Sequence, residues 1–143
     1  MNITVCTLNL NCYLNLAQFK TSKMSKFQRP ESAKYPQIYY TFNAKDKNSD
    51  VVVSYRVQDL PEECFEKAVD LMVNHFLAEE TFCACRKLME SEKAVEEFRG
   101  LWMNCFREKL SLVCFKDGCD EIISVNALMV SIKDVNTEIN VSF

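Results

Sequence analysis

The hydrophobic pattern divides the chain into three zones. Over residues 1 to about 20, apolar and polar positions alternate, and Leu8, Leu10, Cys12, Leu14 and Leu16 share one face of an expected strand. Residues 21–50 are polar, carry Pro30 and Pro36, and hold one strand-like run, Ile38-Tyr39-Tyr40-Thr41-Phe42. From about residue 51 the pattern tightens into strand, helix, helix, strand, strand. VVVSYRV (51–57) is β-branched and aromatic, which predicts a strand. In the following DLPEE, Asp59 and Glu62 have the spacing of a capping box, and Pro61 suits a first helical turn. Phe65, Val69, Met72 and Phe76 then fall on one helical stripe, with Glu66, Lys67 and Asp70 outside it. AEETFCAC reads as a short irregular piece. A second helix is expected over 91–110, where Val95, Phe98, Trp102, Cys105 and Phe106 give a wide apolar face. Gly100 inside it is a weak point, costing roughly 1 kcal/mol against alanine.

SLVCFKDGCDEIISVNALMV (111–130) predicts a β-hairpin turning at Asp117-Gly118, with a loop of three to five residues. Alternation places Ile123, Val125, Ala127 and Met129 on one face and Ile122, Leu128 and Val130 on the other, interrupted by Ser124 and Asn126. A strand apolar on both faces is usually covered on both and paired along both edges. No further strand is expected to follow within these 143 residues. The outer edge of this last strand is therefore expected to self-associate, to aggregate, or to be covered by residues 1–16; truncation at Met24, an alternative start, separates the last case.

Composition narrows the function classes. A chain of 143 residues with 48% apolar positions can build one domain with a real core. The net charge of −3 is mild and no basic block marks a nucleic-acid or membrane surface, so neither partner is expected. The two glycines, Gly100 and Gly118, nearly exclude any mechanism that needs a glycine-rich loop. Of the eight cysteines, Cys64 and Cys105 lie in helical patterns and Cys114 in a strand, where reduced cysteine acts as a small hydrophobe. The start lacks a basic region before its apolar run and is too polar for a membrane span. A reduced, cytoplasmic protein is the expectation.

Few residues carry chemistry by pattern alone. Glu79-Glu80 after a helix is most often a solvated acidic pair, and His75 reads as a helix-terminal, partly exposed histidine. Cys83-x-Cys85 and Cys114-x₄-Cys119 lack the Cys-x₂-Cys spacing of a zinc site, and one histidine would have to serve all, so no metal is expected. Trp102 with Phe98 and Phe106 is a core stripe. Asn126 is either a satisfied interior polar group or part of a substrate face.

Four segments taken in order carry a resemblance. YRVQDLPEECFEKAVDLMVNHFLAEETFC, EEFRGLWMNCFREKLSLVCF, DGCDEIISVNALMVSIKD and the upstream MSKFQRPESAKYPQIYYTF together resemble the N-terminal half of insect arylalkylamine N-acetyltransferase-like proteins of the GNAT superfamily. The resemblance covers about residues 55–134. It implies an α/β (α+β) fold: the strand-helix-helix-strand-strand part of the GNAT acyl-CoA N-acyltransferase fold, with the cofactor-binding half missing. Residues 1–50 would be an N-terminal extension, partly extended or disordered. Residues 51–134 would be the N-terminal half of the domain, and 135–143 a C-terminal tail. In that fold the last strand of the hairpin pairs with a further strand.

The family takes acetyl-CoA as cofactor and arylalkylamines such as dopamine, serotonin, tyramine or octopamine as substrates. Its catalytic base is a glutamate in a segment like Asp-Glu-Pro-Leu, which falls here on Glu80, with Glu79 in place of aspartate and Thr81 in place of proline. Its pyrophosphate loop, Arg/Gln-x-x-Gly-x-Gly/Ala, matches no stretch of this chain, so no cofactor-binding residue is assigned. The expectation is a truncated N-acetyltransferase-like chain without activity or acetyl-CoA binding alone. The alternative is a non-enzymatic interaction module that pairs through its exposed strand edge.

Overall fold

A computed structural model describes residues 29–46, 49–119 and 121–129. The expected strand within residues 1–20, the Met24 start, Val130 and the tail at 135–143 lie outside the described residues. Four strands form one antiparallel sheet in chain order: β1 (Ile38–Lys45), β2 (Val52–Asp59), β3 (Leu112–Lys116) and β4 (Ile122–Asn126). Between β2 and β3 come a 3₁₀ turn (Glu62–Cys64), α1 (Phe65–Leu71), a π-helical continuation (Met72–Leu77), the short α2 (Thr81–Cys85), a further 3₁₀ turn (Leu88–Glu90) and α3 (Glu92–Arg107).

The sheet crosses the expected boundary near residue 50. The strand-like run in the polar zone extends to Lys45 and pairs with β2 along its length, from Tyr40 opposite Val57 to Lys45 opposite Val52. Phe42 stacks on Tyr55 across the pair at 5.3 Å, and Tyr40 on Phe42 at 6.0 Å. A cross-strand aromatic pair such as Phe42–Tyr55 stabilises a hairpin by a few tenths to about 1 kcal/mol. The polar zone read as an N-terminal extension thus supplies a strand, and after it Asp46 N–H donates to the Val51 carbonyl at 2.9 Å.

One core holds the helices against one sheet face. Phe65, Ala68, Val69, Met72, Val73, Phe76 and Leu77 from the first helix meet Phe98, Trp102, Cys105 and Phe106 from α3, over Val113, Phe115, Ile122 and Val125 of the sheet. The apolar stripes expected from sequence are these buried faces. Ser91 caps α3, its side chain accepting from Ala94 N–H at 3.3 Å. The first helix widens to a π turn where Met72, Val73, Phe76 and Leu77 are all buried. The extra residue per turn lets both pairs, four positions apart, face the core.

Three local expectations need correction. Asp59 and Glu62 do not form a capping box: Pro61 precedes the 3₁₀ turn with no side-chain cap, and the Asp59 carboxylate is 1% exposed and serves the N-terminal segment instead. AEETFCAC is not irregular throughout, because Thr81–Cys85 is helical. In β4 the alternation breaks. Cys114 faces Ser124 but Phe115 faces Ile122, so Ile123 is the extra residue of a bulge. Ile122 thereby joins Val125 and Ala127 in the core, and Ile123 does not.

Candidate functional site

The first helix delivers His75, Glu79 and Glu80 to its C-terminal end. His75 Nδ1 lies 3.3 Å from Glu79 Oε1, one turn apart on the surface, and the Glu79 side chain is 73% exposed. Glu80 turns the other way. Its backbone is extended (φ −64, ψ 131) and its carboxylate accepts from Cys83 N–H at 2.8 Å, making it the N-cap of α2. Thr81 occupies the first helical position, which proline favours. The turn forms without proline because the Glu80 side chain closes it.

This geometry fixes the electrostatics of Glu80. Burial pushes its pKa up, but donation from the backbone N–H groups of Cys83 and Phe82 and from the Cys83 thiol prevails, and the pKa falls below the usual carboxylate value. The Cys83 thiol is fully buried. Its burial, and then the neighbouring Glu80 carboxylate, push its pKa up to about 12. At neutral pH the pair is therefore a carboxylate held by a neutral thiol and a backbone amide. Glu80 can accept a proton, but its lowered pKa makes it a weaker base than a carboxyl tuned toward neutrality.

The other chemistry-bearing residues do not converge. Cys85 and Cys119 are exposed, Cys114 is half-buried, and Cys64 and Cys105 lie in the core with Cys83. Cys119 Sγ donates to the Lys116 carbonyl at 3.6 Å within its own turn, and Cys114 Sγ lies 4.0 Å from the Phe115 carbonyl. Among the described residues no three His, Cys, Asp or Glu side chains come together as metal ligands. Trp102 is 0% exposed against Phe76 and Phe98, which makes it a core residue. Asn126 sits half-buried opposite Leu112 at the sheet edge.

Acetyl-CoA, the cofactor that the sequence resemblance implies, needs a backbone cradle for its pyrophosphate. Gly100 lies inside α3 and Gly118 in the β3–β4 turn at φ 80, so neither opens a helix. The described residues do not fit that group.

A second polar centre went unread in the sequence. The buried Asp59 carboxylate receives Arg29 Nη1 at 3.0 Å, Tyr39 Oη at 2.9 Å and Gln37 N–H at 2.9 Å. Its only sequence signal is a carboxylate closing an apolar strand; the partners lie 20 to 30 positions upstream, where no local spacing reveals them. Beside it, a cleft of about 640 Å³ is lined by residues of the 29–35 segment together with Glu62 and Lys109.

No family model matches the chain, and no curated protein matches it. A solved structure does: a crystal structure described as insect arylalkylamine N-acetyltransferase 7, from the yellow fever mosquito, superposes with a TM-score of 0.70 at 35% identity over 82% of this chain. The chain spans about half, 49%, of that protein's length. In sheet, helices and sequence the chain is thus similar to an insect arylalkylamine N-acetyltransferase, the likeness that the sequence resemblance implied.

Proposed function

We propose that these residues form the N-terminal, amine-facing half of an arylalkylamine N-acetyltransferase domain, with Glu80 at the position of the base. The observation that carries this reading is the likeness to the mosquito protein at 35% identity. Glu80 supports it by its placement: the carboxylate is ionised, half-buried and held by Cys83 at the end of the first helix. A protonated amine must lose a proton before it attacks an acyl group, and a fixed carboxylate, directly or through water, can receive it. Acetyl-CoA would be the donor for the whole domain. In this reading the 143 residues lack the means to hold it and have no activity alone; the protein is a cytoplasmic one. Among the described residues no helix is long and apolar enough to cross a membrane.

Calorimetric titration of the chain with acetyl-CoA tests the division of labour. No binding heat is expected. A micromolar dissociation constant would overturn the reading, because a cofactor site would then exist without the glycine loop. A second reading, an interaction module, is favoured by one observation: β4 stands at the edge of the described sheet. In that reading the edge recruits a strand from a second copy or another protein, and neither amine nor cofactor is bound.

A further inference from the structure

Residues 29–37 cross the end of the sheet, and the hydrogen bonds that hold them meet at few points. Arg29 Nη1 donates to Asp59 Oδ1 at 3.0 Å and to the Lys109 carbonyl, beyond α3, at 2.8 Å. Its Nη2 reaches back to the Lys34 carbonyl at 2.8 Å. The guanidinium thus ties the segment to itself, to the end of β2 and to the α3–β3 connection. Gln37 N–H donates to Asp59 Oδ2 at 2.9 Å, Asp59 N–H donates to the Gln37 carbonyl at 3.0 Å, and Tyr39 Oη donates to Asp59 Oδ1 at 2.9 Å. Tyr35 hydroxyl donates to the Leu60 carbonyl. Arg29 lies 5.3 Å and Lys109 5.0 Å from the Tyr35 ring centre.

We propose that residues 29–37 are a strap latched by the Asp59 carboxylate, which opens as a unit, separately from the core, when that carboxylate is lost. The burial and the bonding make the point. Asp59 is 1% exposed and Arg29 12% exposed, so each charge depends on the other. Removing one partner of such a pair leaves an uncompensated buried charge. Arg29, Gln37 and Tyr39 all use the same two oxygens, so loss of the carboxylate weakens all three at once. The remaining ties are few: Arg29 to the Lys109 carbonyl, the Tyr35 hydroxyl to the Leu60 carbonyl and Asp59 N–H to the Gln37 carbonyl. Pro30, Glu31, Ser32, Lys34 and Pro36 are exposed, and none of residues 29–37 belongs to the hydrophobic core. Opening would dismantle the cleft, because residues 29–35 form most of its wall and only Glu62 and Lys109, joined by an ion pair at 2.5 Å, belong to the body. The strap is thus a conformational device that decides whether this cleft exists, and it does not depend on the acetyltransferase reading.

Limited trypsin digestion tests it, because Lys34 lies within the strap. In the native chain cleavage after Lys34 should be slow despite its exposed side chain, since the backbone on either side is fixed. In Asp59→Asn it should accelerate roughly a hundredfold, the scale of losing one partner of a buried ion pair. Trp102 emission, a reporter of the core, should stay native. A change in cleavage of less than about threefold would overturn the proposal. If Asp59→Asn also exposes Trp102, the latch and the core are one unit and the proposal of separate opening fails. Tyr39→Phe removes one donor and keeps the ion pair, so it should accelerate cleavage only severalfold. An acceleration equal to that of Asp59→Asn would overturn the central place given to the carboxylate.

Discussion

Replacing Trp102 with alanine would remove the largest side chain at the centre of the core. It is 0% exposed, meets Phe76 edge-on at 6.1 Å and an interplanar angle of 90°, and packs on Phe98 at 5.4 Å. A buried aromatic side chain hides about 150–250 Å², and roughly 25 cal/mol per Å² converts this to about 4–6 kcal/mol. One term works against it. Trp102 Nε1 is buried with no hydrogen-bond partner among the described residues, and a buried unsatisfied donor costs about 1–3 kcal/mol. The alanine variant no longer bears that cost, which leaves about 1–5 kcal/mol; the cavity left behind adds to this, and the net loss is expected at about 3–5 kcal/mol, the range of large aromatic truncations. Urea unfolding followed by far-ultraviolet circular dichroism would measure it without relying on the lost fluorophore. Trp102→Phe separates the two terms. It keeps most of the ring contacts and drops the orphan N–H, so it should cost less than about 2 kcal/mol. A loss below about 1 kcal/mol for alanine would refute the packing account, and a phenylalanine variant as damaged as alanine would refute the account of the N–H.

Further expectations concern the end of the first helix and its thiols. Glu80→Ala removes the cap of α2 and should destabilise the fold by about 1 kcal/mol, with faster amide exchange at Cys83, the N–H left without its acceptor. Because the folded pKa of Glu80 is lowered, its ionised form contributes stability that is complete above the ordinary carboxylate pKa and is lost as pH falls through the lower folded value. Below neutrality the wild type should therefore converge on Glu80→Gln in stability only in the acid range, and convergence already near pH 7 would contradict the sign. Alkylation of the native chain at pH 8, read by mass spectrometry, should label exposed Cys85 and Cys119 and spare Cys83, whose buried thiol has a pKa raised to about 12. Cys83 labelling as fast as Cys85 would show that the α2 turn opens freely.

What the sequence made legible was whatever repeats along one element. The stripe from Phe65 to Phe76 and the stripe through Phe98, Trp102 and Phe106 became the helix faces of the core because helical spacing alone determines which side chains share a face. Asp117-Gly118 announced its turn, with Gly118 at φ 80, a backbone that other residues adopt at a cost. What stayed hidden depends on partners distant in sequence. Nothing near Ile38 says that Val52–Asp59 is its neighbour, and a polar interval with two prolines reads as an N-terminal extension until the pairing is known. The bulge at Ile123 was also invisible. Ile122 and Ile123 are interchangeable by composition, and only the register against Phe115 chooses which is buried.

The two carboxylates that matter, Asp59 and Glu80, show the same limit from opposite directions. By local pattern Asp59 reads as a helix cap and Glu80 as a surface acid. In the fold Glu80 is the cap and Asp59 is the buried acceptor of a segment some 20 to 30 positions away. A carboxylate is an acceptor wherever it stands, so its role is set by which donors reach it first. At residues 59–62 the Asp59 oxygens are already taken by Arg29, Gln37 and Tyr39, and the 3₁₀ turn that follows goes without a side-chain cap. At residues 80–83 no distant donor among the described residues competes, and the local N–H groups claim Glu80. For the base role proposed for Glu80 this has a chemical consequence. The bonds that hold Glu80 in place also lower its proton affinity, so fixing the base and strengthening it are opposed here. Glu80 can raise its affinity toward the neutral range only if the Cys83 N–H and thiol are drawn away or if further burial outweighs them.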